Sequence, residues 1–168
     1  FNILLQKINK IYYIFLYYLN MSVYEIIFIL STFWIGPFWF AMLLQPHAEK
    51  TKKLLSEPLF FLGPIILWFL VMIISKDSMI NFADSFSNGD GFLNGLINAF
   101  SSEAGITATW SHMVAGDIFA TRWIWKKSLE HELNHILRFL AIFFGVMLMP
   151  IGILILILST FKKEKYFS

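Results

Sequence analysis

Hydrophobic and polar positions fall into long blocks along this chain. Four blocks, residues 23–44, 59–75, 99–125 and 136–159, approach the length needed to cross a bilayer as a helix, for which about 20 apolar residues suffice. The first carries Gly36-Pro37, which predicts a kink, and ends at Gln45-Pro46-His47 before the polar loop HAEKTKK. The second also holds a Gly-Pro pair, Gly63-Pro64. Such breaks are tolerated in lipid when neighbouring helices satisfy the freed carbonyls. Residues 76–98 are polar and glycine-rich, with Asp77, Asp84 and Asp90, and read as a loop with a short surface helix near Phe92–Ile97. The fourth block is the most apolar, softly broken by Pro150 and Gly152 and stopped by Lys162, Lys163 and Lys165.

Composition strengthens this picture. The 168 residues are 58% hydrophobic, 18% aromatic and 14% charged, which is too apolar for a water-soluble domain of this length. A net charge of +2 gives no electrostatic case for nucleic acid. With no cysteine, disulfides, thiolate metal sites and cysteine nucleophiles are excluded. The chain opens on Phe1, read as processing or an unrecorded start, with Met21 as an internal alternative. Tyr12, Tyr13, Tyr17 and Tyr18 suit the membrane interface, so residues 3–19 read as an interfacial helix rather than a signal peptide. The expectation is an all-α polytopic membrane protein. It comprises an interfacial segment (1–20), four transmembrane helices (21–160) and a basic tail (161–168). In that arrangement both termini share a side, and the two membrane faces carry nearly equal Lys and Arg counts, so charge does not orient the chain.

The third block is unusually polar for a span. It holds Glu103, His112, Asp117 and Arg122, and no helix of this kind faces lipid on all sides. It is expected at the centre, wrapped by the others, with Trp123, Trp125, Lys126 and Lys127 marking its exit. At about 100° per residue, Glu103, Trp110, Asp117 and Thr121 form one stripe with Thr107 beside it. Gly105, Thr109, His112 and Gly116 form a second stripe nearly opposite. Small residues of this kind serve close helix packing, and a neutral imidazole among them is also a good axial ligand for a metal-centred pigment such as chlorophyll. Glu103 reads as a helix-start carboxylate capped by Ser101 and Ser102. Asp117, three turns on, requires a partner or a proton. The functional reading is that Glu103, His112 and Asp117 move protons on a lipophilic substrate.

The stretch HELNH, His131 to His135, matches H-E-x-x-H. On a helix the two imidazoles lie one turn apart and bind zinc, with Glu132 as general base. A third ligand would come from His47, Glu49 or Glu130. The competing reading is a helix start at the membrane surface, where Glu130 and Glu132 meet the positive end of the helix dipole.

The stretch FSSEAGITATWSHMVAGDIFATRWIW, with Phe100, Glu103, Trp110, His112, Asp117, Phe119 and Arg122 in order, resembles the central motif of the abscisic-acid-deficient-four-like family. GPFWFAMLLQPHAEKTKKL, with Pro37-Phe38-Trp39 and Pro46, resembles that family's first span, and His135 with Pro150-Ile151-Gly152 fits its last. The resemblance covers about residues 22–158. It implies a plastid, thylakoid or cyanobacterial membrane and a link to neoxanthin formation from violaxanthin. That conversion is an isomerisation of an epoxide to an allene and requires no redox cofactor. The resemblance leaves open whether the chain is a cofactor-independent isomerase or a partner of one. Trp110, Thr107, Arg122, Phe38 and Trp39 are then candidate xanthophyll contacts. The alternative is a non-catalytic accessory subunit of a larger photosynthetic complex, holding carotenoid, chlorophyll or lipid between aromatics such as Trp34, Trp39, Phe38, Trp68 and Phe69.

Overall fold

The computed structural model describes residues 21–76, 80 and 91–164. The expected interfacial helix at 1–20, with its four tyrosines, lies outside the described residues, as do Asp77, Asp84, Asp90 and Lys165. Among the described residues all regular structure is helical. Helix α1 (Val23–Trp34) starts at a capping box: the Glu25 amide donates to Ser22 Oγ at 3.2 Å, and the Ser22 amide donates back to Glu25 Oε2 at 2.9 Å. Ile35 interrupts it and α2 (Gly36–Leu44) continues with Pro37 in its first turn, where the missing N–H costs nothing. The helical hydrogen bonding is thus interrupted beside the Gly36-Pro37 pair, while Ile35 keeps helical torsions (φ −75°, ψ −20°). A short α3 (Glu49–Leu54) and a 3-10 turn (Pro58–Phe61) lead into α4 (Leu62–Ile74). Then come α5 (Phe92–Phe100), α6 (Glu103–Glu130), α7 (His135–Met147) and α8 (Met149–Glu164).

Helix α6 is the axis of the fold and packs against α1, α2, α4, α5, α7 and α8. It starts after Ser102 and ends five residues past Trp125; Ala99 and Phe100 belong instead to α5. The pair α1–α2 runs parallel to it, since Thr107 meets Tyr24, Trp110 meets Thr32 and Trp125 meets Pro46. Helix α4 runs the opposite way, with Phe61 against Phe119 and Trp68 beside His112. One end of the bundle thus holds the first turns of α1 and α6 together with α5. The other holds α3 and the α6–α7 connection. The main core lies toward this second end, built by Met42, Phe60, Ile118, Ile124, Trp125 and Ile142.

The fourth block is not one span. Residue Leu148 (φ −150°, ψ 75°) ends α7, and α8 folds back along it. A Cβ placed on Gly152 would lie 2.5 Å from the Gly145 nitrogen and 2.7 Å from the Ala141 oxygen. In a continuous helix residues 141 and 152 would stand about 16 Å apart. The reversal works because Gly152 has no side chain where it lies on the Gly145 backbone, Gly145 has none where it meets Thr121 and Ile124 of α6, and Pro150 needs no hydrogen bond in the first turn of α8. Among the described residues Val23–Leu44 is the one helical segment long and apolar enough to cross a membrane by length and composition; Leu62–Ile74, His135–Met147 and Met149–Phe161 are apolar but shorter.

Candidate functional site

At the first end of the bundle the opening turns of α1 and α6 diverge around an open cleft of about 330 Å³. Met21, Tyr24, Glu25, Phe28, Ile29, Glu103, Ile106 and Thr107 line it. Each helix brings one carboxylate there for a local reason. Glu25 is the third residue of a capping box, and Glu103 is the first residue of α6, where Ser102 Oγ accepts the Gly105 amide at 3.0 Å. Both acids sit where the helix dipole favours negative charge. The helix-start role expected for Glu103 is thus present and places it in the cleft as well.

Above the cleft the α1–α6 seam is aromatic. The Trp110 ring stacks on Phe28 with centroids 4.9 Å apart. Its indole N–H donates to Thr32 Oγ1 at 2.7 Å, and that hydroxyl donates to the Phe28 carbonyl at 2.8 Å. Thr107 is buried, its hydroxyl turned to the Tyr24 carbonyl at 3.4 Å. Asp117 is half-buried further along the same face, and its carboxylate makes no hydrogen bond or ion pair among the described residues. Fourteen residues of helix separate it from Glu103, about 21 Å along the axis. The cleft therefore joins Glu103 with Thr107, and with Glu25, but not with His112, Asp117 or Arg122.

The remaining candidates lie elsewhere. The Arg122 guanidinium donates from Nε to the Leu55 carbonyl at 2.7 Å and from Nη2 to the Ser56 carbonyl at 3.2 Å, and sits 5.4 Å from the centre of the Phe60 ring. It fastens the corner after α3 by charge-assisted bonds and a cation–π contact. Trp39 lies against Phe143, its N–H on the Ile142 carbonyl at 3.3 Å, and Phe38 lies between Trp34 and Phe60. His112 is exposed, with the Trp68 ring 6.5 Å away. The small-residue face on which it sits divides. Gly105 backs onto the Ala99 carbonyl, where any Cβ would clash, while Gly116 has nothing within 4 Å of a placed Cβ. The packing expected of this face thus holds at Gly105 and not at Gly116.

HELNH is not on a helix. His131 caps the end of α6, Glu132 takes a left-handed conformation (φ 46°), Asn134 caps α7 through Oδ1 to the Leu137 amide at 2.8 Å, and His135 is the first residue of α7. The one-turn spacing that zinc binding needs is absent. Glu130 belongs to the last turn of α6 rather than to a helix start, and the hydrogen bond from Lys127 at 2.6 Å holds its carboxyl below the usual range. Among the described residues no three His, Asp or Glu side chains gather as a metal site.

Glu25, Tyr24 and Phe28 join the site only in the folded chain. The capping box S-V-Y-E was readable at Ser22–Glu25; that it opens onto Glu103 depends on the parallel packing of α1 and α6.

Comparison with known proteins agrees with this arrangement of motifs. The Arabidopsis thaliana protein ABA DEFICIENT 4, chloroplastic, is 28% identical over 111 residues, 64% of this chain and 50% of that protein. The chain thus spans about half the length of that curated relative. No solved structure matches. The family described as ABA DEFICIENT 4-like matches residues 26–156, which take in the α1–α2 pair from residue 26 onward, all of α6 and the α7–α8 hairpin as far as residue 156. On that match, this chain belongs to the ABA DEFICIENT 4-like family.

Proposed function

We propose that this chain is an integral membrane protein of plastids that binds a xanthophyll along the acidic face of α6 and takes part in forming an allenic xanthophyll from an epoxide. The observation that carries the proposal is the α1–α6 seam. It carries the stacked ring pair Phe28–Trp110, with Glu25 and Glu103 lining a cleft at one end and Asp117 about 21 Å from Glu103 along the axis. A long polyene with polar end groups matches such a seam: apolar contact along its length and carboxylates at its ends.

In the isomerisation an acid protonates the epoxide oxygen as its C–O bond opens. A base removes a proton from the neighbouring polyene carbon, and the electron pair released forms the allene. No atom is gained or lost and no redox cofactor takes part. Two carboxylates in an apolar cleft supply both roles when one is protonated. The plastid setting rests on the chloroplastic relative. Insertion in the membrane rests on the outer surface, where Phe33 is 74%, Leu44 71% and Ile136 69% exposed, an apolar surface unsuited to water. In this reading α1–α2 and α6 cross the bilayer in one direction, and the 3-10 turn with α4, together about 27 Å long, carries the chain back between them.

The test is expression in a host that accumulates violaxanthin. The chain should yield an allenic product, and Glu103→Gln should abolish it at unchanged protein level. An inserted wild-type chain that forms no product would sink the catalytic role.

A second reading, an accessory subunit carrying a pigment for a larger photosynthetic complex, is favoured by one observation. His112 is exposed one turn from Gly116, where a placed Cβ meets nothing within 4 Å, so its imidazole is open to a ligand. Chlorophyll in the purified protein that is lost in His112→Leu would support it; a pigment-free monomer would not.

A further inference from the structure

We infer that α7–α8 is a re-entrant hairpin that enters and leaves the bilayer at one face, and that this gathers the basic residues on the anionic, insertion side of the membrane. The inference rests on the membrane reading above. Three observations lead to it.

The first is length. His135–Met147 and Met149–Phe161 are apolar helices of 13 residues each, about 20 Å, against a hydrocarbon core of about 30 Å. Neither crosses alone, and the contact of Gly152 with Gly145 and Ala141 shows that they do not join end to end.

The second is the turn itself. Backbone inside lipid must be satisfied within the chain. The Leu148 amide donates to Phe144 O at 2.7 Å, while Ile151 and Gly152 donate to Leu148 O at 2.8 and 3.3 Å. Pro150 has no N–H to satisfy. The side chains at the tip, Met147 and Leu148, are apolar and about half exposed. The turn therefore presents hydrocarbon outward and bonds these three amides, with the Met149 amide alone of the turn's donors lacking a backbone partner among the described residues.

The third is charge. If residues 136–159 crossed once, Lys162 and Lys163 would lie opposite Lys126 and Lys127. Folded back, α8 returns its last turn to the end of the bundle that holds α3 and the α6–α7 connection. Lys50, Lys52, Lys53, Lys126, Lys127, Lys162 and Lys163 then share one end, with Lys76 at the other among the described residues. The near-even distribution of a four-span chain becomes a strong bias. Short loops rich in Lys and Arg stay on the side from which a chain inserts, and that surface carries anionic lipid.

Because the sequence has no cysteine, single substitutions report cleanly. In the full chain, Lys53→Cys, Lys126→Cys, Lys163→Cys and Asn98→Cys are placed one at a time and exposed to a membrane-impermeant maleimide in right-side-out and inside-out vesicles of a bacterial inner membrane. The expected result is that the three lysine positions label only from the cytoplasmic face and Asn98→Cys only from the opposite face. Lys163→Cys labelling together with Asn98→Cys would overturn the hairpin while leaving the membrane reading intact. The three lysine positions labelling together from the outer face would overturn the charge-based orientation. Equal labelling of all four in both vesicle types, with release of the chain by alkaline carbonate, would overturn the membrane reading and the hairpin with it.

Discussion

Between Arg122 and Ser128, α6 is closed. Arg122 is fastened to the Leu55 and Ser56 carbonyls, the buried Trp125 donates to the Pro46 carbonyl at 3.1 Å, and Ser128 Oγ donates to the Trp125 carbonyl at 2.8 Å. The α7–α8 hairpin packs against this half, with Gly145 on Thr121 and Ile124. Between Glu103 and Asp117 the same helix is left open. Glu103 lines a cleft, Asp117 has no ionic partner among the described residues, and Gly116 has empty space above it. The buried Ser111 hydroxyl in this half also has no hydrogen-bond partner among the described residues, an arrangement that costs stability. One half spends its polar groups on holding corners together. The other bonds Thr107 and Trp110 to α1 but leaves the Glu103 and Asp117 carboxylates without an ion pair among the described residues. A polar residue in an apolar helix is thus not by itself a sign of chemistry; what its donors and acceptors already bond to decides the matter.

Substitutions separate the halves. The largest expected effect is in the closed half: Trp125→Ala should cost about 3–5 kcal/mol, because it removes a buried ring and strands the Pro46 carbonyl. Thermal unfolding in detergent measures this, and a Tm within a degree of wild type would contradict the assignment. Next comes a pair of glycines. Gly152→Ala should cost about 1–3 kcal/mol, because the Cβ lands on the Gly145 backbone. Gly116→Ala should be neutral or stabilise by up to about 1 kcal/mol, since alanine is the better helix former and the space is free. If the two variants unfold alike, the contrast between a packed and an open glycine is lost. The smallest effect on stability belongs to Glu103→Gln, within about 0.5 kcal/mol, as for an exposed group away from the core. If its Tm falls as far as that of Trp125→Ala, Glu103 supports the fold rather than a site.

Much of the architecture was legible because apolar blocks and caps act locally. The break before Pro37, the short helix at Phe92, the central place of the polar helix and the Ser102 cap all follow from residues within a turn or two. The acidic stripe was legible as well, since helical spacing alone puts Glu103, Trp110 and Asp117 on one face. What escaped was every feature set by distant residues. The hairpin at Leu148 needs Gly152 to lie on the backbone of Gly145, a contact that hydropathy averages away. HELNH satisfied a spacing rule that holds only on a continuous helix, and the left-handed Glu132 with the Asn134 cap breaks that helix. Arg122 looked like a substrate contact until the carbonyls of Leu55 and Ser56 took its donors.

The sequence by itself determined that the chain is helical and apolar, that its third block is its polar axis, and which family it belongs to. These follow from composition, periodicity and the order of motif residues, which do not depend on how helices meet. Only the tertiary structure decided that Glu25 joins Glu103 at one cleft, that Arg122 is a fastener and that α8 turns back on α7. Each of these is a contact between residues far apart in the chain, and such contacts are fixed by shape and by which backbone groups remain to be bonded.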